Sequence, residues 1–250
     1  MKRSNKILIS IVFLTVSWLI LNGWLQANAF KNISSGKVCS YAKLSVGDDL
    51  KPLNSFKNII IDFGKKSFSP KITIKYGLKQ ELQCSNNLKN AISYSVCGDT
   101  LCLKINYQSI QNDDYFDISI PLLKSLNISS VSEKTEISHL KNNYIITIMG
   151  FKAGDLIINN NSQFGLLLEK NKLRKLELQG DFHNNGKAEI SEYTDYDSLK
   201  VDITGKQGTL IFNQNPPDKV NPKQWISIKV PGTLRIESDA VLADKIIIKK

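Results

Sequence analysis

Apolar and polar residues alternate in short runs from about Phe56 to the end of the chain, and segments rich in Asn, Gly and Pro separate the runs. A period of two residues is typical of strands that bury one face, whereas an amphipathic helix has a period of about 3.6. No window after residue 30 keeps the helical period for three turns. The pattern therefore predicts an all-β domain, with strands at 58–62, 71–74, 117–120, 144–148, 175–178, 200–203, 225–230 and 245–248.

One β-hairpin can be placed in register from the sequence. Gly98-Asp99 suits a two-residue turn between two alternating runs. Pairing across this turn places six apolar residues on one face, as Val96 opposite Leu101, Tyr94 opposite Leu103 and Ile92 opposite Ile105. The other face then carries Ser95, Cys97, Thr100 and Cys102, so we expect the apolar face to be buried.

The later strands contain a weak repeat. Leucine-led motifs place Leu126, Leu176, Leu199 and Ile246 at separations of 50, 23 and 47 residues, close to one or two multiples of about 24. This length suits one coil of a parallel β-solenoid, in which each coil stacks its inward apolar residues on the next. An antiparallel sandwich is the alternative, but it needs regular hairpin turns, and these are scarce apart from Gly98-Asp99. We therefore expect a β-solenoid or β-helix-like domain with an N-terminal hairpin.

These strands also resemble a known bacterial envelope family. The resemblance rests on the order of segments 56–59, 72–74 and 87–88 and the hairpin 94–105, and it covers roughly residues 56–250. The family is that of auto-transporter adhesin head domains, whose biochemical function is unknown. The resemblance implies a hairpin followed by leucine-punctuated solenoid coils behind a signal or membrane anchor. It implies no catalytic residues.

The N-terminus has a different character. Lys2, Arg3 and Lys6 precede an apolar stretch over 7–25, which would be about 28 Å long as a helix and would just span a bilayer core. Its basic flank predicts that the N-terminus stays in the cytoplasm and that the rest is exported. The segment is either a retained transmembrane anchor or a signal peptide cleaved after Ala29.

Three regions follow from these patterns: a signal peptide or anchor at 1–29, a linker and first strand at 30–55, and the all-β domain at 56–250. The formal net charge is +10 for the whole chain, and residues 30–250 keep 30 basic and 23 acidic side chains, a net +7. This mild excess is spread along strands, so nucleic acid is a poor partner. We expect a location in the bacterial cell envelope, either anchored in the inner membrane with the domain outside the cytoplasm or exported.

Four cysteines in an exported chain permit disulfides. In the hairpin register, Cys97 and Cys102 are diagonal neighbours, about 7–8 Å apart at Cα, which exceeds the usual limit for a disulfide. Cys84 could reach either one from the preceding strand. The sequence thus predicts a Cys84–Cys97 or Cys84–Cys102 bridge, with Cys39 free.

Residues able to support catalysis or to bind a metal are sparse. His139 and His183 are the only histidines, and neither has a nucleophile at a defensible spacing. Neighbouring acids, as at 48–49 and 113–114, would point to opposite faces of a strand. The cysteine spacings lack a C-x-x-C pair for zinc. We therefore expect no catalytic residues, no cofactor and no metal.

The favoured function is that of a non-enzymatic envelope protein serving as a scaffold, an adhesin-like module or a binding module. Its partners would be envelope polysaccharide or another envelope protein, with the membrane contacted through the N-terminal segment. Tyr193, Tyr196 and Trp225 could stack on sugar rings, although Trp225 fits a buried strand better. The alternative is a carbohydrate-active β-helix enzyme such as a polysaccharide lyase, which needs acids and a basic residue converging on one groove. A regulatory protein that binds a membrane protein through a sheet edge is a third hypothesis.

Overall fold

The chain divides into two units, residues 1–40 and residues 41–250, and every described residue belongs to the second. The structure is a computed structural model. It describes residues 42–43, 51–64, 70–88, 91–105, 114–130, 146–152, 154–162, 164–181, 187–191, 193–205, 207–212, 225–229, 233–237 and 246–249. The predicted anchor or signal segment at 1–29 lies outside these ranges. No helix within them is both long enough and apolar enough to cross a membrane.

The described residues are nearly all β, with one short 3-10 helix at Asn86–Leu88, and they form two mixed sheets. Sheet A contains β1 (Ala42–Lys43), β3 (Asn58–Asp62), β6 (Ile92–Cys97), β7 (Thr100–Ile105), β9 (Ser125–Ser129), β11 (Asp155–Asn161), β13 (Lys172–Gly180), β15 (Asp195–Ile203), β17 (Trp225–Lys229) and β19 (Ile246–Lys249). Sheet B contains β2 (Lys51–Pro52), β4 (Lys71–Tyr76), β5 (Glu81–Cys84), β8 (Tyr115–Ile120), β10 (Ile146–Met149), β12 (Leu166–Glu169), β14 (Lys187–Ile190), β16 (Gln207–Phe212) and β18 (Thr233–Glu237). The all-β prediction is confirmed.

Successive strands alternate between the two sheets from β9 to β19. Each of them up to β17 pairs in parallel with the strand two positions further along, as β11 does with β13 and β10 with β12. Parallel strands cannot be joined by tight hairpins, so each connection has to leave its sheet. Here it runs to the other sheet, which explains why hairpin turns are scarce in this part of the sequence.

The other end of each sheet is antiparallel. In sheet A the order is β1-β6-β7-β3; β1–β6 and the expected hairpin β6–β7 are antiparallel, and β7 then pairs in parallel with β3. The predicted pairs Ile92–Ile105, Tyr94–Leu103 and Val96–Leu101 all occur, and the six residues are buried or pack against the core. In sheet B, β5 pairs antiparallel with β8, and the two-residue β2 covers β5.

The core consists of inward-facing rows that run across the strands. Since the parallel strands are in register, Ile59, Leu126, Ile158, Leu178 and Val201 are neighbours in one row, and all five are buried. Sheet B has an equivalent row of buried residues comprising Leu82, Ile118, Ile74, Ile148, Leu168, Ile190 and Phe212. The inward positions predicted by the two-residue alternation therefore form one continuous core.

The predicted repeat is correct in its later part and wrong in its first step. Leu176 pairs directly with Leu199, so the separation of 23 residues is one step between adjacent strands of sheet A. Leu199 pairs with Ile226, which pairs with Ile246, so the separation of 47 residues is two such steps. Leu126 instead pairs with Ile158, whose next neighbour is Leu178 rather than Leu176. The 32 residues from Leu126 to Ile158 include a longer connection, so the separation of 50 is not two equal repeats.

Buried polar side chains hold the connections where the chain passes from sheet B to sheet A. The Asn171 amide donates to the Ile148 carbonyl at 2.9 Å, and its oxygen accepts the Phe151 N–H at 3.1 Å. The Thr194 hydroxyl donates to the Leu168 carbonyl at 3.0 Å and accepts the Asn171 N–H at 3.3 Å. These bonds satisfy backbone groups that would otherwise be buried without partners, and they fix the strands that follow.

Candidate functional site

Outward-facing residues of sheet A also form rows, because the strands are in register. One row contains Asn127, Asn159, Gln179 and Asp202, on four successive parallel strands. We call its three amides, Asn127, Asn159 and Gln179, the amide row, and the carboxylate of Asp202 continues it on the fourth strand. Neighbouring strands are about 4.8 Å apart, so the row repeats hydrogen-bonding groups at that interval. An amide side chain offers both donors and an acceptor, which suits a partner rich in hydroxyl groups.

A charged cluster lies beside the amide row. Glu177 on β13 accepts hydrogen bonds from Lys200 Nζ at 2.6 Å and from Gln179 Nε2 at 2.7 Å. Lys175 Nζ lies 3.0 Å from its other carboxylate oxygen. The Glu177 side chain is only 7% exposed although it faces outwards, because its partners cover it. We call Lys175, Glu177, Gln179 and Lys200 the Glu177 cluster.

The electrostatics of this cluster fix the charge of Glu177. The hydrogen bond from Lys200 is the largest cause that lowers its pKa, and those from Lys175 and Gln179 add to it against the effect of burial. The pKa of Glu177 falls to about 2. The same contact raises the pKa of Lys200. A carboxyl group with so low a pKa stays ionised at neutral pH and cannot serve as a general acid.

A second ion pair and an exposed apolar side chain border the cluster. Arg174 donates from Nε and Nη2 to the two carboxylate oxygens of Asp155, each at 2.8 Å. This hydrogen bonding lowers the pKa of Asp155. Ile157 stands between Ser125 and Glu177 in one outward row and is 41% exposed. The outer face of sheet A thus combines amides, fixed charges and an apolar side chain.

Sequence reasoning identified the strands of this face but missed the Glu177 cluster. The signal was the spacing of Lys175, Glu177 and Gln179, which places all three on one side of a strand. Lys200 could not be found in this way, because its position opposite Glu177 depends on the register of β13 and β15.

The aromatic residues expected to bind sugar separate in the structure. Tyr193 is 59% exposed at the connection before β15. Tyr196 is 2% exposed and belongs to the core, so it is not available for stacking, and this expectation was wrong. Trp225 begins strand β17, as its sequence context favoured.

The cysteines occupy different faces of the structure. Cys84 and Cys102 are buried free thiols, whereas Cys97 is disulfide-bonded. Cys84 points into the core between the sheets, and Cys102 lies on the opposite side of sheet A beside Ser95 and Ile60. Sheet A lies between the two thiols, so the expected Cys84–Cys102 disulfide does not form. Because Cys84 is a free thiol, the alternative Cys84–Cys97 disulfide does not form either. Burial raises the pKa of the Cys102 thiol. Cys39 lies outside the described residues.

The acids and histidines considered for catalysis do not converge in the part of the chain that is described. Asp114 is buried and accepts hydrogen bonds from Ser85 Oγ at 3.0 Å and Asn87 Nδ2 at 3.4 Å, so it organises the short helix after β5. Within the described ranges no group of three or more His, Cys, Asp or Glu side chains could hold a metal ion. Outside those ranges lie His139, His183, Asp113 and the acid pair at 48–49.

Comparison with known proteins gives distant similarity. No family model matches the chain. Two curated relatives, both immunoglobulin A1 protease autotransporters of Haemophilus influenzae, are 24% identical over 175 residues, which is 67% of this chain and 10% of theirs. The chain thus spans about a tenth of the length of the curated relatives it matches.

Solved structures of bacterial proteins are similar to the chain at low identity. A candidate adhesin of Bacteroides fragilis is 13% identical with a TM-score of 0.45, and the alignment covers 80% of this chain and 93% of that one. A candidate lipid-binding protein of Parabacteroides distasonis is 16% identical with a TM-score of 0.43, over 76% and 72% of the two chains. A candidate adhesin of Parabacteroides merdae is 14% identical with a TM-score of 0.33, over 80% and 91%.

Proposed function

We propose that this protein is a non-enzymatic, adhesin-like binding module of the bacterial cell envelope, built as a β-solenoid behind an N-terminal anchor or signal segment at 1–29 and a linker at 30–55. The observation that carries the proposal is the amide row on the outer face of sheet A. A row of similar side chains at a constant interval is suited to a partner that is itself a regular polymer. Envelope polysaccharide has this character.

The chemistry of the neighbouring residues supports the same choice. Amides donate to and accept from hydroxyl groups, and the exposed Ile157 offers an apolar contact for the C–H face of a sugar ring. The Glu177 cluster adds fixed charges that select among anionic and neutral polymers. Because contacts at successive strands add, even weak individual contacts give useful affinity for a long chain.

The test measures binding of purified envelope polysaccharide to the full chain. Asn127→Ala and Asn159→Ala together remove two outward amides without touching the core, and we expect at least a tenfold loss of affinity. The matched control is Thr73→Ala with Thr147→Ala, two outward neighbours on sheet B, which should bind normally. Equal binding by both double variants would contradict the proposed site. Binding of an envelope protein instead, lost in the same variants, would change the partner but keep the face.

The location is tested separately. Mass spectrometry of the mature N-terminus distinguishes cleavage after Ala29 from a retained anchor. Protease accessibility in intact and permeabilised cells then reports on which side of the inner membrane residues 56–250 lie. Digestion only after the cytoplasm is opened would refute an envelope location.

A further inference from the structure

An exposed apolar turn projects from sheet B where β4 and β8 end. Strand β4 ends at Tyr76, and residues 77–80 lead to β5 on the far side of β8. This connection therefore crosses the end of β8. The Gly77 N–H donates to the Ile120 carbonyl at 3.2 Å, which fixes the crossing directly above the residues that leave β8.

Four apolar side chains are exposed at this crossing. Leu78 is 85% exposed, the highest value among the large hydrophobic residues described as exposed, and Tyr76 and Leu122 are 47% and 36% exposed. Pro121 is exposed next to Leu122. We call Tyr76, Leu78, Pro121 and Leu122 the apolar tip. Together the four side chains form an exposed apolar patch, and such patches mark surfaces that contact a partner or a membrane.

The base of the tip is fixed. The ring of Tyr76 packs edge-on against Phe151 with centroids 6.4 Å apart, and Tyr76 Cβ lies 3.5 Å from the position that a Cβ on Gly150 would occupy. Gln80, at the end of the turn, donates to the Phe56 carbonyl at 2.8 Å and accepts the Phe56 N–H at 3.2 Å. The turn is thus held in place on both sides, and Leu78 projects from a rigid support.

Three lysines lie close in the chain to the tip or to the residue that supports it. Lys79 follows Leu78 in the turn, Lys124 follows Leu122 by two residues, and Lys152 follows Phe151, the residue on which Tyr76 packs; all three lysines are exposed. None of the three forms an ion pair with any part of the chain that the structure describes. By contrast, Lys75 on the outer face of β4 is neutralised by Asp117 at 2.8 Å. The positive charge at the tip therefore remains available to a partner.

We infer that the apolar tip docks on an anionic lipid bilayer, with Leu78 and Leu122 inserted at the headgroup boundary and the lysines on the phosphates. Exposed aliphatic side chains with lysines nearby in the chain match the two layers of such a surface, an apolar interior and a negatively charged headgroup layer. A tyrosine at the rim suits the interface, where its ring is half-buried and its hydroxyl is wet. A protein partner would need a pocket shaped to Leu78 beside its acidic groups, whereas a bilayer accepts any aliphatic side chain that reaches the headgroup boundary. The inference rests on the proposed envelope location and is independent of the amide row.

The test places a fluorophore at the tip of the full chain reconstituted in vesicles. A Leu122→Cys variant carries an environment-sensitive dye, and brominated lipid quenches the dye where the tip contacts the bilayer. The control is Asp197→Cys with the same dye, because Asp197 is exposed on β15 of sheet A. Cys84 and Cys102 are buried and Cys97 is disulfide-bonded, so these three should resist labelling under native conditions. The parent chain treated with the same dye gives the background from Cys39. In vesicles containing phosphatidylglycerol we expect quenching at 122 and none at 197. Equal quenching at both positions overturns the inference.

Two pairs of variants, made in the labelled chain, separate the apolar and charged parts. Lys79→Glu with Lys124→Glu should lower the affinity for the anionic vesicles at least 25-fold, since each basic residue near an anionic surface raises the affinity about fivefold. Lys71→Glu is the matched control, because Lys71 is exposed at the other end of the same strand β4. Leu78→Gln should abolish quenching, and Ile157→Gln, at an exposed apolar position on sheet A, should not. Unchanged quenching in the Lys79/Lys124 variant refutes binding of the lysines to the lipid phosphates. Unchanged quenching in Leu78→Gln refutes insertion of Leu78.

The dye at 122 also separates lipid docking from protein binding. If it responds to added envelope protein but not to lipid, the tip is a protein-binding surface and the inference is wrong. If quenching fails while polysaccharide binding through Asn127 and Asn159 is intact, the bilayer contact is refuted and the proposed function is retained.

Discussion

Gly180 is a position where we expect a single added methyl group to destabilise the fold strongly. Its φ is +124°, a conformation that side chains rarely adopt, and a Cβ there would contact the backbone oxygen of Asn160 and lie 2.7 Å from its carbonyl carbon. Asn160 cannot easily move, because its amide donates to the Phe164 carbonyl at 3.2 Å and accepts the Ser162 N–H at 3.1 Å. Gly180→Ala must therefore disturb two strands.

Gly154 separates backbone strain from the steric contact. Its φ is +131°, almost the same, yet nothing lies within 4 Å of a Cβ placed there. Gly154→Ala should cost only the conformational strain, about 1–3 kcal/mol. Gly180→Ala should cost that amount and a further ~1–3 kcal/mol for overpacking. The difference between the two variants is thus the contribution of the contact with Asn160.

Urea unfolding of both full-chain variants and the parent, followed by circular dichroism in one buffer and detergent, gives these free energies. The unfolding slope should be the same for all three, since the surface exposed on unfolding is unchanged. If the stabilities of Gly180→Ala and Gly154→Ala differ by less than about 0.5 kcal/mol, the close approach of Gly180 to Asn160 is not what excludes a side chain at position 180.

Three more predictions follow from the buried polar groups, the ion pairs and the thiols. Asn171→Ala leaves the Phe151 N–H and the Ile148 carbonyl without their partner, so it should destabilise the chain by about 2–4 kcal/mol in the same urea assay, whereas Thr147→Ala on the outer face should be nearly neutral. Glu177→Gln should lower the free energy of unfolding by about 1–3 kcal/mol at pH 7. The pKa of Glu177 is about 2 in the folded chain, below its usual 4.5, so the stabilisation by its charge is complete above pH 4.5 and is lost as the pH falls towards 2. Parent and variant should therefore have converging stabilities as the pH approaches 2. Asp155→Asn, in an exposed pair, should leave stability unchanged within error, and a loss equal to that of Glu177→Gln would contradict this comparison. Without reductant, Cys84 and Cys102 should react with iodoacetamide only after unfolding and Cys97 not at all, as peptide mass spectrometry would show; labelling of Cys97 in an unreduced sample would be inconsistent with its disulfide.

The strands could be predicted from the sequence wherever burial alternates strictly. Asn58–Asp62 has the same bounds in the structure as in the alternation, and the 98–99 turn fixed the hairpin register because a two-residue loop leaves only one pairing. The alternation identifies an inward face without saying which strand is adjacent. Sheet order in the first half therefore could not be predicted: β3 pairs with both β7 and β9, and β4 with both β8 and β10.

The candidate site was harder to predict for the same reason. Glu177 and Lys200 meet across two strands, so their contact depends on the path of the chain over a separation of 23 residues. Cys84 was expected near Cys97 because β5 precedes the hairpin in the chain, but β5 lies in sheet B and the hairpin in sheet A. Tyr196 looked like a surface aromatic because it lies among polar residues, yet it is in the core. In each case the spatial neighbour comes from another strand.

Strand order also has a consequence for how the chain folds. Strand β13 pairs with β15 across 23 residues, for example Leu176 with Leu199, whereas β3 pairs with β9 across 67 residues and β4 with β10 across 74, as Ile59 with Leu126 and Ile72 with Ile146 do. Closing a longer loop has a larger entropic cost and slows the formation of the contacts that depend on it. The C-terminal strands should therefore assemble before β3 and β4 join them, and the finished edges of β9 and β10 then act as a template on which β3 and β4 dock. In the export that we propose, the N-terminal strands would cross the membrane first but pair last, so their unpaired edges would stay exposed for longest.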